Sequence, residues 1–216
     1  MRVAVIDYGS GNLHSVLHSL KTATTHAGLP HDCFLTSSPE DVLAADYVVL
    51  PGVGAFADCA RNLASVDGMM AALHEAVLVK RQPFLGICVG MQLMAERGLE
   101  DGETPGLGWI DGVVDRIIPE PKDGLSLKIP HMGWNGLELK AAHPVLEGLS
   151  SGDAVYFVHS YHMTLPKDDQ LLATTDYGGR VVAAIGDQNM VGTQFHPEKS
   201  QGVGQRLLTN WLTWKP

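Results

Sequence analysis

Short apolar runs and segments with helical spacing alternate along the first half of the chain. Each apolar run is typical of a strand that is buried on both faces, and leucines and valines three or four positions apart indicate amphipathic helices. Such alternation predicts a parallel sheet covered by helices. The predicted strands are 2–7, 32–36, 47–50 and 83–88, and the predicted helices are 12–27, 39–44 and 69–81.

The second half of the chain has a different pattern. Between residues 112 and 139 the strand-like pieces are short and are interrupted by glycine and proline. No repeat, low-complexity tract or linker divides the sequence. We therefore expect one α/β domain over residues 1–216, with a mostly parallel central sheet, flanking helices and additional antiparallel strands. The later predicted strands are 154–158, 171–175, 181–185 and 190–195, and the closing helix is 202–214.

Composition excludes several classes of function. The chain has 216 residues, enough for one well-buried core, and a formal net charge of −9 with no basic run. That charge argues against a nucleic-acid-binding surface, and no apolar stretch is long enough to cross a bilayer. The amino terminus is typical of a strand and not of a signal peptide, and three cysteines make no disulfide framework. We therefore expect a cytoplasmic protein with no nucleic-acid or membrane partner.

The candidate nucleophile is Cys88. It lies in a Gly-x-Cys-x-Gly motif at 86–90, after an apolar run and before a helix-forming segment. This order is the strand–turn–helix arrangement of a nucleophile elbow, with cysteine in place of serine. The two glycines permit a sharp turn and leave room for neighbouring elements, and a helix N-terminus favours a thiolate. Taken alone, the motif fits a buried cysteine in a glycine-rich turn equally well.

A histidine and an acid lie at the end of a later predicted strand. His196 and Glu198 are two residues apart and point the same way in an extended chain, so the glutamate can hold one imidazole tautomer. Catalytic groups collect at the carboxyl ends of strands in a parallel sheet. Cys88, His196 and Glu198 in this order make a catalytic triad the leading hypothesis.

A glycine-containing loop follows the buried strand that ends at residue 50. In the segment 51–54 two glycines are separated by one residue, which allows a tight loop whose amide groups point at a ligand. An oxyanion hole needs such donors, and removal of one costs about 3–4 kcal/mol of transition-state stabilisation. The alternative is a plain turn between a strand and a helix.

Two other patterns point away from cofactors. The glycines at 9 and 11 lack the third glycine of the dinucleotide fingerprint, and we expect Ser10 or Asn12 to cap the first helix instead. His14 and His18 are four residues apart, but no zinc motif accompanies them. We therefore predict no metal and no other cofactor.

Two further segments each allow two interpretations. The segment 130–135 contains a methionine and a tryptophan, which suit either an interface or the protein's own core. The segment 159–162 follows an apolar strand and fits either a binding loop or a polar turn.

Together these motifs resemble the class I, or triad-type, glutamine amidotransferases. Finer features are similar to one branch of that family, the glutaminase subunits of imidazole glycerol phosphate synthases. The resemblance runs nearly from end to end, and the segments that select the branch are 5–13, 130–135 and 158–161.

The resemblance implies a mechanism. Cys88 would attack the side-chain carboxamide of glutamine, release ammonia and leave a glutamyl thioester that water hydrolyses. His196 would transfer the protons and Glu198 would orient it. The backbone amides of Val53 and Val89 would receive the oxyanion. The residues that would hold glutamine are Gly54, Gln92, His159, Ser160 and Tyr161.

The resemblance also implies a partner, a (β/α)8-barrel cyclase subunit in a heterodimer. The partner would take ammonia through a sequestered passage and form imidazole glycerol phosphate and an aminoimidazole carboxamide ribonucleotide in histidine biosynthesis. We expect the loop 51–54 to be misoriented in the isolated chain and to turn an amide inward when the partner is loaded, because glycine permits either peptide orientation.

Three alternatives remain beside this interpretation. One is the glutaminase subunit of an anthranilate, aminodeoxychorismate or guanylate synthase, against which the segments 130–135 and 159–161 argue. Another is a non-catalytic binding protein on the same scaffold, against which the intact Cys88, His196 and Glu198 argue. The third is a cysteine peptidase, for which the sequence shows no extended substrate groove.

Overall fold

The computed structural model describes residues 1–121 and 126–216. The strands in this part of the chain are β1 (Arg2–Ile6), β2 (Asp32–Thr36), β3 (Tyr47–Gly52), β4 (Phe84–Cys88), β5 (Ala95–Gly98), β6 (Thr104–Pro105), β7 (Ile110–Arg116), β8 (His131–Gly136), β9 (Glu138–Leu139), β10 (Ala154–His159), β11 (Tyr161–Thr164), β12 (Leu171–Asp176), β13 (Arg180–Asp187) and β14 (Met190–Thr193). The α-helices are α1 (Leu13–His26), α2 (Pro39–Ala44), α3 (Phe56–Ser65), α4 (Met69–Leu73), α5 (Val89–Gln92) and α6 (Gln201–Thr213).

An eight-stranded sheet in the order β2-β1-β3-β4-β14-β13-β12-β9 forms the centre of the fold. The first five strands in this order are parallel, and the remaining pairs are antiparallel. Helices pack on the sheet in two groups, α1 with α6 and α2 with α4. The predicted fold class, a mostly parallel sheet flanked by helices with additional antiparallel strands, is confirmed.

The centre of the sheet forms the core. Every residue of β3 and β4 is buried, which explains why their sequences are unbroken apolar runs and not alternating ones. Two smaller sheets, β11-β7-β5-β6 and β10-β8, account for the short glycine-interrupted strands of the second half. No helix among the described residues has the length and hydropathy that a bilayer crossing requires.

Most predicted elements have the predicted type and ends within two residues, but two segments differ. The predicted helix 69–81 is α-helical only to Leu73 and continues as a π-helix over His74–Val79. The helix after Cys88 spans only Val89–Gln92, and the chain then enters β5. It stops there because a second segment takes over the backbone hydrogen bonds: Leu107 N donates to Leu93 O at 2.7 Å.

Close backbone contacts place α5 directly on β3 and β4. A Cβ atom on Gly90 would lie 1.8 Å from the Leu50 carbonyl oxygen, and one on Gly86 would lie 2.7 Å from the Gly90 carbonyl oxygen. A Cβ on Gly52 would lie 2.8 Å from the Gly90 nitrogen. The expectation that Gly86 and Gly90 leave room for neighbouring elements is confirmed, and the contact brings Cys88 and the loop 51–54 together at one edge of the sheet.

Candidate active site

Cys88 forms the turn between β4 and α5. Its backbone has φ 55° and ψ −112°, a region that non-glycine residues rarely adopt and that costs about 1–3 kcal/mol. A strained residue at this position is the hallmark of a nucleophile elbow, because the turn pushes the side chain out beyond the strand end. The Cys88 side chain accordingly lines a cleft at the carboxyl ends of the parallel strands.

His196 and Glu198 reach the same edge from β14. This strand lies beside β4 with Thr193 opposite Ile87, so the residues that follow the two strands come together. The Nδ1 atom of His196 is 2.8 Å from Oε1 of Glu198, and the two side chains are only 2% and 1% exposed. Nε2 of His196 has no hydrogen-bond partner among the described residues, and His196 lines the same cleft as Cys88.

The surroundings of His196 set its protonation. Burial acts to lower its pKa, but the neighbouring Cys88 and the Glu198 carboxylate more than offset this and raise the pKa of His196 to about 9. The imidazole is therefore protonated at neutral pH. An imidazolium beside a cysteine favours the thiolate, which is the form that attacks a carbonyl carbon.

The cleft has a volume of about 290 Å³, which suits a ligand the size of an amino acid. Nine of the ten residues predicted for the site line it, and the tenth, Glu198, lies behind His196. Its lining residues are Val53, Gly54, Cys88, Val89, Gln92, Glu100, Pro130, Val158, His159, Ser160, Tyr161, His196 and Lys199.

Two charged residues of the cleft were not predicted. Glu100 and Lys199 bring one negative and one positive side chain to the lining, which suits a zwitterionic ligand. Oε2 of Glu100 also accepts a hydrogen bond from the Phe56 N–H at 2.7 Å, where α3 begins. No motif surrounds Glu100 in the sequence, and Lys199 lies just after the predicted triad with nothing else to mark it.

Two of the predicted glutamine-binding residues use their polar atoms within the protein. Nδ1 of His159 lies 2.9 Å from the Tyr161 carbonyl oxygen, and Nε2 lies 3.0 Å from Nδ1 of His131. Burial lowers the pKa of His159 to about 3, so the ring is neutral, with Nδ1 donating and Nε2 accepting. Nε2 of Gln92 donates to the Tyr161 carbonyl at 2.9 Å and to Oε1 of Gln194 at 3.0 Å. These side chains therefore shape the wall of the cleft.

The loop 51–54 is held by Ser10. The Val53 N–H donates to Oγ of Ser10 at 3.3 Å, and the Ser10 hydroxyl donates to the Val53 carbonyl at 2.6 Å. The expected capping of α1 is wrong, because the Ser10 hydroxyl is taken up by this loop and the Asn12 side chain makes no capping hydrogen bond. The Val53 amide, predicted as an oxyanion donor, already has a partner here.

The segment 130–135 divides between core and surface. Met132 and Trp134 are 61% and 50% exposed, whereas His131 is buried and stacks on Phe157 and Tyr177. Side chains alternate across β8, so the two large apolar residues share its outer face. Of the two interpretations left open for Trp134, the structure supports surface placement.

The raised pKa of His196 predicts a pH dependence of stability. A folded-state pKa of about 9 against 6.5 contributes stability in full below pH 6.5 and loses it as the pH rises through 9. We expect the free energy of unfolding to decrease by up to about 3 kcal/mol over this range, relative to His196→Gln. Urea unfolding at a series of pH values measures the difference. Parallel curves for the two proteins would contradict the prediction.

Comparisons with known proteins agree with this geometry. The family described as glutamine amidotransferase class-I matches residues 4–214. The imidazole glycerol phosphate synthase subunit HisH of Rhodospirillum rubrum is 54% identical over 217 residues, and the protein of that name from Brucella suis is 53% identical over 219. Both alignments cover 100% of this chain and 100% of the relative.

Solved structures share the fold at lower identity. One, described as a glutamine amidotransferase, has a TM-score of 0.70 at 19% identity and covers 97% of this chain and 96% of its own. A glutamine amidotransferase of Thermotoga maritima has a TM-score of 0.64 at 20% identity, covering 92% of this chain and 76% of its own. At this identity the likeness concerns the fold alone. The full-length matches at more than half identity carry the assignment further: the chain belongs to the class I glutamine amidotransferase family, in the branch of the HisH subunits of imidazole glycerol phosphate synthase.

Proposed function

We propose that the chain hydrolyses glutamine to glutamate and ammonia and passes the ammonia to a (β/α)8-barrel cyclase subunit in histidine biosynthesis. One observation carries the proposal: Cys88 lines a cleft together with His196, whose Nδ1 is held by Glu198 at 2.8 Å and whose Nε2 has no partner in the described chain. We further propose that residues 1–216 work as one domain in the cytosol, where the three free cysteines would remain reduced.

The proposed chemistry has two halves. The Cys88 thiolate attacks the carboxamide carbon of glutamine, and the His196 imidazolium gives its proton to the departing ammonia, which leaves a glutamyl thioester. The neutral imidazole then takes a proton from water, whose oxygen attacks the thioester. The carbon–sulfur bond breaks, glutamate leaves, and the thiolate and the imidazolium are restored. Glu198 holds the ring in one tautomer and stabilises its charged form.

Backbone amides are the proposed oxyanion donors. The Val89 N–H lies at the start of α5, next to the nucleophile, and the second donor is the Val53 N–H of the loop 51–54. Since the Val53 amide is bonded to Ser10, the peptide must rotate before it can bind an oxyanion. The Val53 N–H belongs to the peptide between Gly52 and Val53, and a glycine on one side of this peptide eases the rotation. This supports a resting state that lacks one donor.

The cleft supports glutamine as the ligand. Gly54, Gln92, His159, Ser160 and Tyr161 line it, as do side chains of opposite charge from Glu100 and Lys199. A small zwitterion with an uncharged amide end matches such a lining.

The proposed docking surface is the outer face of β8. Met132 and Trp134 project from it, and Pro130, two residues before Met132, lines the catalytic cleft. Methionine and tryptophan are favoured at the cores of protein interfaces, and exposed aromatic side chains are frequent hot spots. A partner seated on this face would lie next to the place where ammonia is released.

Replacement of Cys88 tests the proposed reaction. We expect Cys88→Ala, mixed with the purified barrel protein, to lose glutamine-dependent formation of imidazole glycerol phosphate and to keep the synthesis driven by ammonium salt. Wild type with anthranilate or guanylate synthase subunits serves as the specificity control. Loss of both activities in the variant would instead assign Cys88 to folding or docking, and stimulation by another synthase would replace the proposed partner.

Replacement of Ser10 tests the orientation of the loop 51–54. Ser10→Ala removes the two hydrogen bonds that fix the peptides on either side of Val53, one to its N–H and one to its carbonyl. We expect the glutaminase rate of the isolated chain to increase about tenfold, while the rate of the loaded complex stays constant. Ser65→Ala, at the end of α3, is the matched control and should leave both rates as they are. An unchanged isolated rate in Ser10→Ala would rule out this hold on the loop.

Replacement of Trp134 tests the docking surface. We expect Trp134→Ala to weaken binding of the barrel protein by about thirtyfold or more, because a hot-spot side chain contributes about 2 kcal/mol or more. Val79→Ala removes another exposed apolar side chain, 58% exposed, at the end of the π-helix and serves as the control. Isothermal titration calorimetry gives both dissociation constants. Equal constants for the two variants would place the interface elsewhere.

A further inference from the structure

Gln194 lies beside the sulfur of Cys88 and outside the ligand cleft. Its Nε2 is 3.7 Å from Sγ of Cys88, within reach of a hydrogen bond to sulfur, and its side chain is completely buried. It is absent from the cleft lining, whereas Cys88 belongs to it. Gln194 therefore approaches the nucleophile from within the protein and not from the side of a ligand.

The register of the parallel strands explains this placement. Thr193 in β14 lies opposite Ile87 in β4, so the next residues along the two strands, Gln194 and Cys88, are neighbours. The backbone of Gln194 is also fixed, since its N–H donates to the Ala183 carbonyl at 2.9 Å. The amide side chain thus starts from a rigid position.

Neighbouring groups decide which end of the Gln194 amide meets the sulfur. Its Oε1 accepts a hydrogen bond from Nε2 of Gln92 at 3.0 Å, so its NH₂ group is the end turned towards Sγ. Gln92 is oriented in turn, because the same Nε2 donates to the Tyr161 carbonyl at 2.9 Å. Both amide hydrogens of Gln92 are used, and neither amide can reverse without losing a hydrogen bond.

The network continues to a buried pair of histidines. Nδ1 of His159 donates to the same Tyr161 carbonyl at 2.9 Å, and its Nε2 accepts from Nδ1 of His131 at 3.0 Å. Nδ2 of Asn135 lies 3.3 Å from the remaining nitrogen of His131. Each donor in this chain meets an acceptor, which fixes the amides at its far end.

From this geometry we propose that Gln194 donates a hydrogen bond to the Cys88 thiolate and fixes the position of the sulfur, with Gln92 holding the Gln194 amide in the donating orientation. A hydrogen bond to the charged form of an acid favours that form, and such bonds are stronger than those between neutral groups. Gln194 would thus serve the nucleophile directly, whereas His196 and Glu198 serve the proton transfers. Its use in catalysis rests on the proposed glutaminase function, but its effect on the thiol does not.

The test measures the thiol without glutamine or a partner. The alkylation rate of Cys88 by iodoacetamide is followed from about pH 5 to about pH 10, and peptide mass spectrometry separates its product from those of Cys33 and Cys59. For Gln194→Met, which keeps the side-chain length and removes the donor, we expect the midpoint of the rate profile to move up by about one pH unit. Gln170→Met, which replaces a half-buried glutamine bonded to Asp187, is the control and should keep the wild-type midpoint.

A second variant keeps the test decisive if Gln194→Met does not fold. Gln194→Glu has the same shape and still accepts from Gln92, but it loses the NH₂ donor and carries a negative charge beside the sulfur once ionised. We expect its midpoint to lie higher than that of Gln194→Met. A wild-type midpoint in either folded variant would overturn the proposal and reduce Gln194 to a space-filling residue.

Steady-state kinetics of the complex extends the test to the reaction. Because Gln194 does not line the cleft, Gln194→Met should lower kcat for glutamine about tenfold and change KM by less than about twofold. An increase in KM with constant kcat would assign Gln194 to substrate binding and contradict the proposal. If the complex had no glutaminase activity at all, the proposed function would fail while the alkylation profiles still decided the role of Gln194.

Discussion

The close contact between α5 and β3 is the constraint on which the site depends. With Gly90 against the Leu50 carbonyl and Gly52 against the Gly90 nitrogen, the turn after β4 and the loop after β3 share one small volume. Only in that arrangement do Cys88 and the residues of the loop 51–54 line the same cleft. A side chain on Gly90 would separate them, since its Cβ would lie 1.8 Å from an oxygen that cannot move without displacing a buried central strand.

Cys88 stands between two hydrogen-bonded systems with different tasks. On one side, the sulfur and the carboxylate of Glu198 keep His196 protonated, with a pKa of about 9, and the proposed reaction uses this proton for the leaving group. On the other side, the neutral pair His131 and His159 holds Tyr161, and through it the amides next to the sulfur. Burial lowers the pKa of His131 and His159, which are neutral, whereas the neighbouring Cys88 and Glu198 raise the pKa of His196 despite its burial.

The sequence was sufficient to predict the sheet and the meeting of Cys88, His196 and Glu198 at one edge of it, because both follow from local patterns. The catalytic role of the three residues stays a prediction. Apolar runs mark strands buried on both faces, and a cysteine between glycines after such a run marks an elbow. The features that the sequence did not predict depend on contacts between distant segments of the chain. The helix after Cys88 ends early because the Leu107 N–H forms a hydrogen bond with the Leu93 carbonyl. Ser10 does not cap α1, because its hydroxyl donates to the Val53 carbonyl instead. Gln194 was missed because its position beside the sulfur follows from the register of β14 on β4, which no single segment contains.

The proposed mechanism sets two conditions, a prepared nucleophile and a complete site for the oxyanion. The nucleophile is prepared, since the strained turn exposes Cys88 to the cleft and His196 is charged and oriented. The site for the oxyanion is not, since the Val53 amide is bonded to Ser10. With one donor missing, the barrier is higher by about 3–4 kcal/mol, roughly a hundred- to thousandfold in rate. In the proposed mechanism, acid–base chemistry therefore does not limit the resting protein. The orientation of the Gly52–Val53 peptide does, and the glycine on its amino side permits either orientation at low cost.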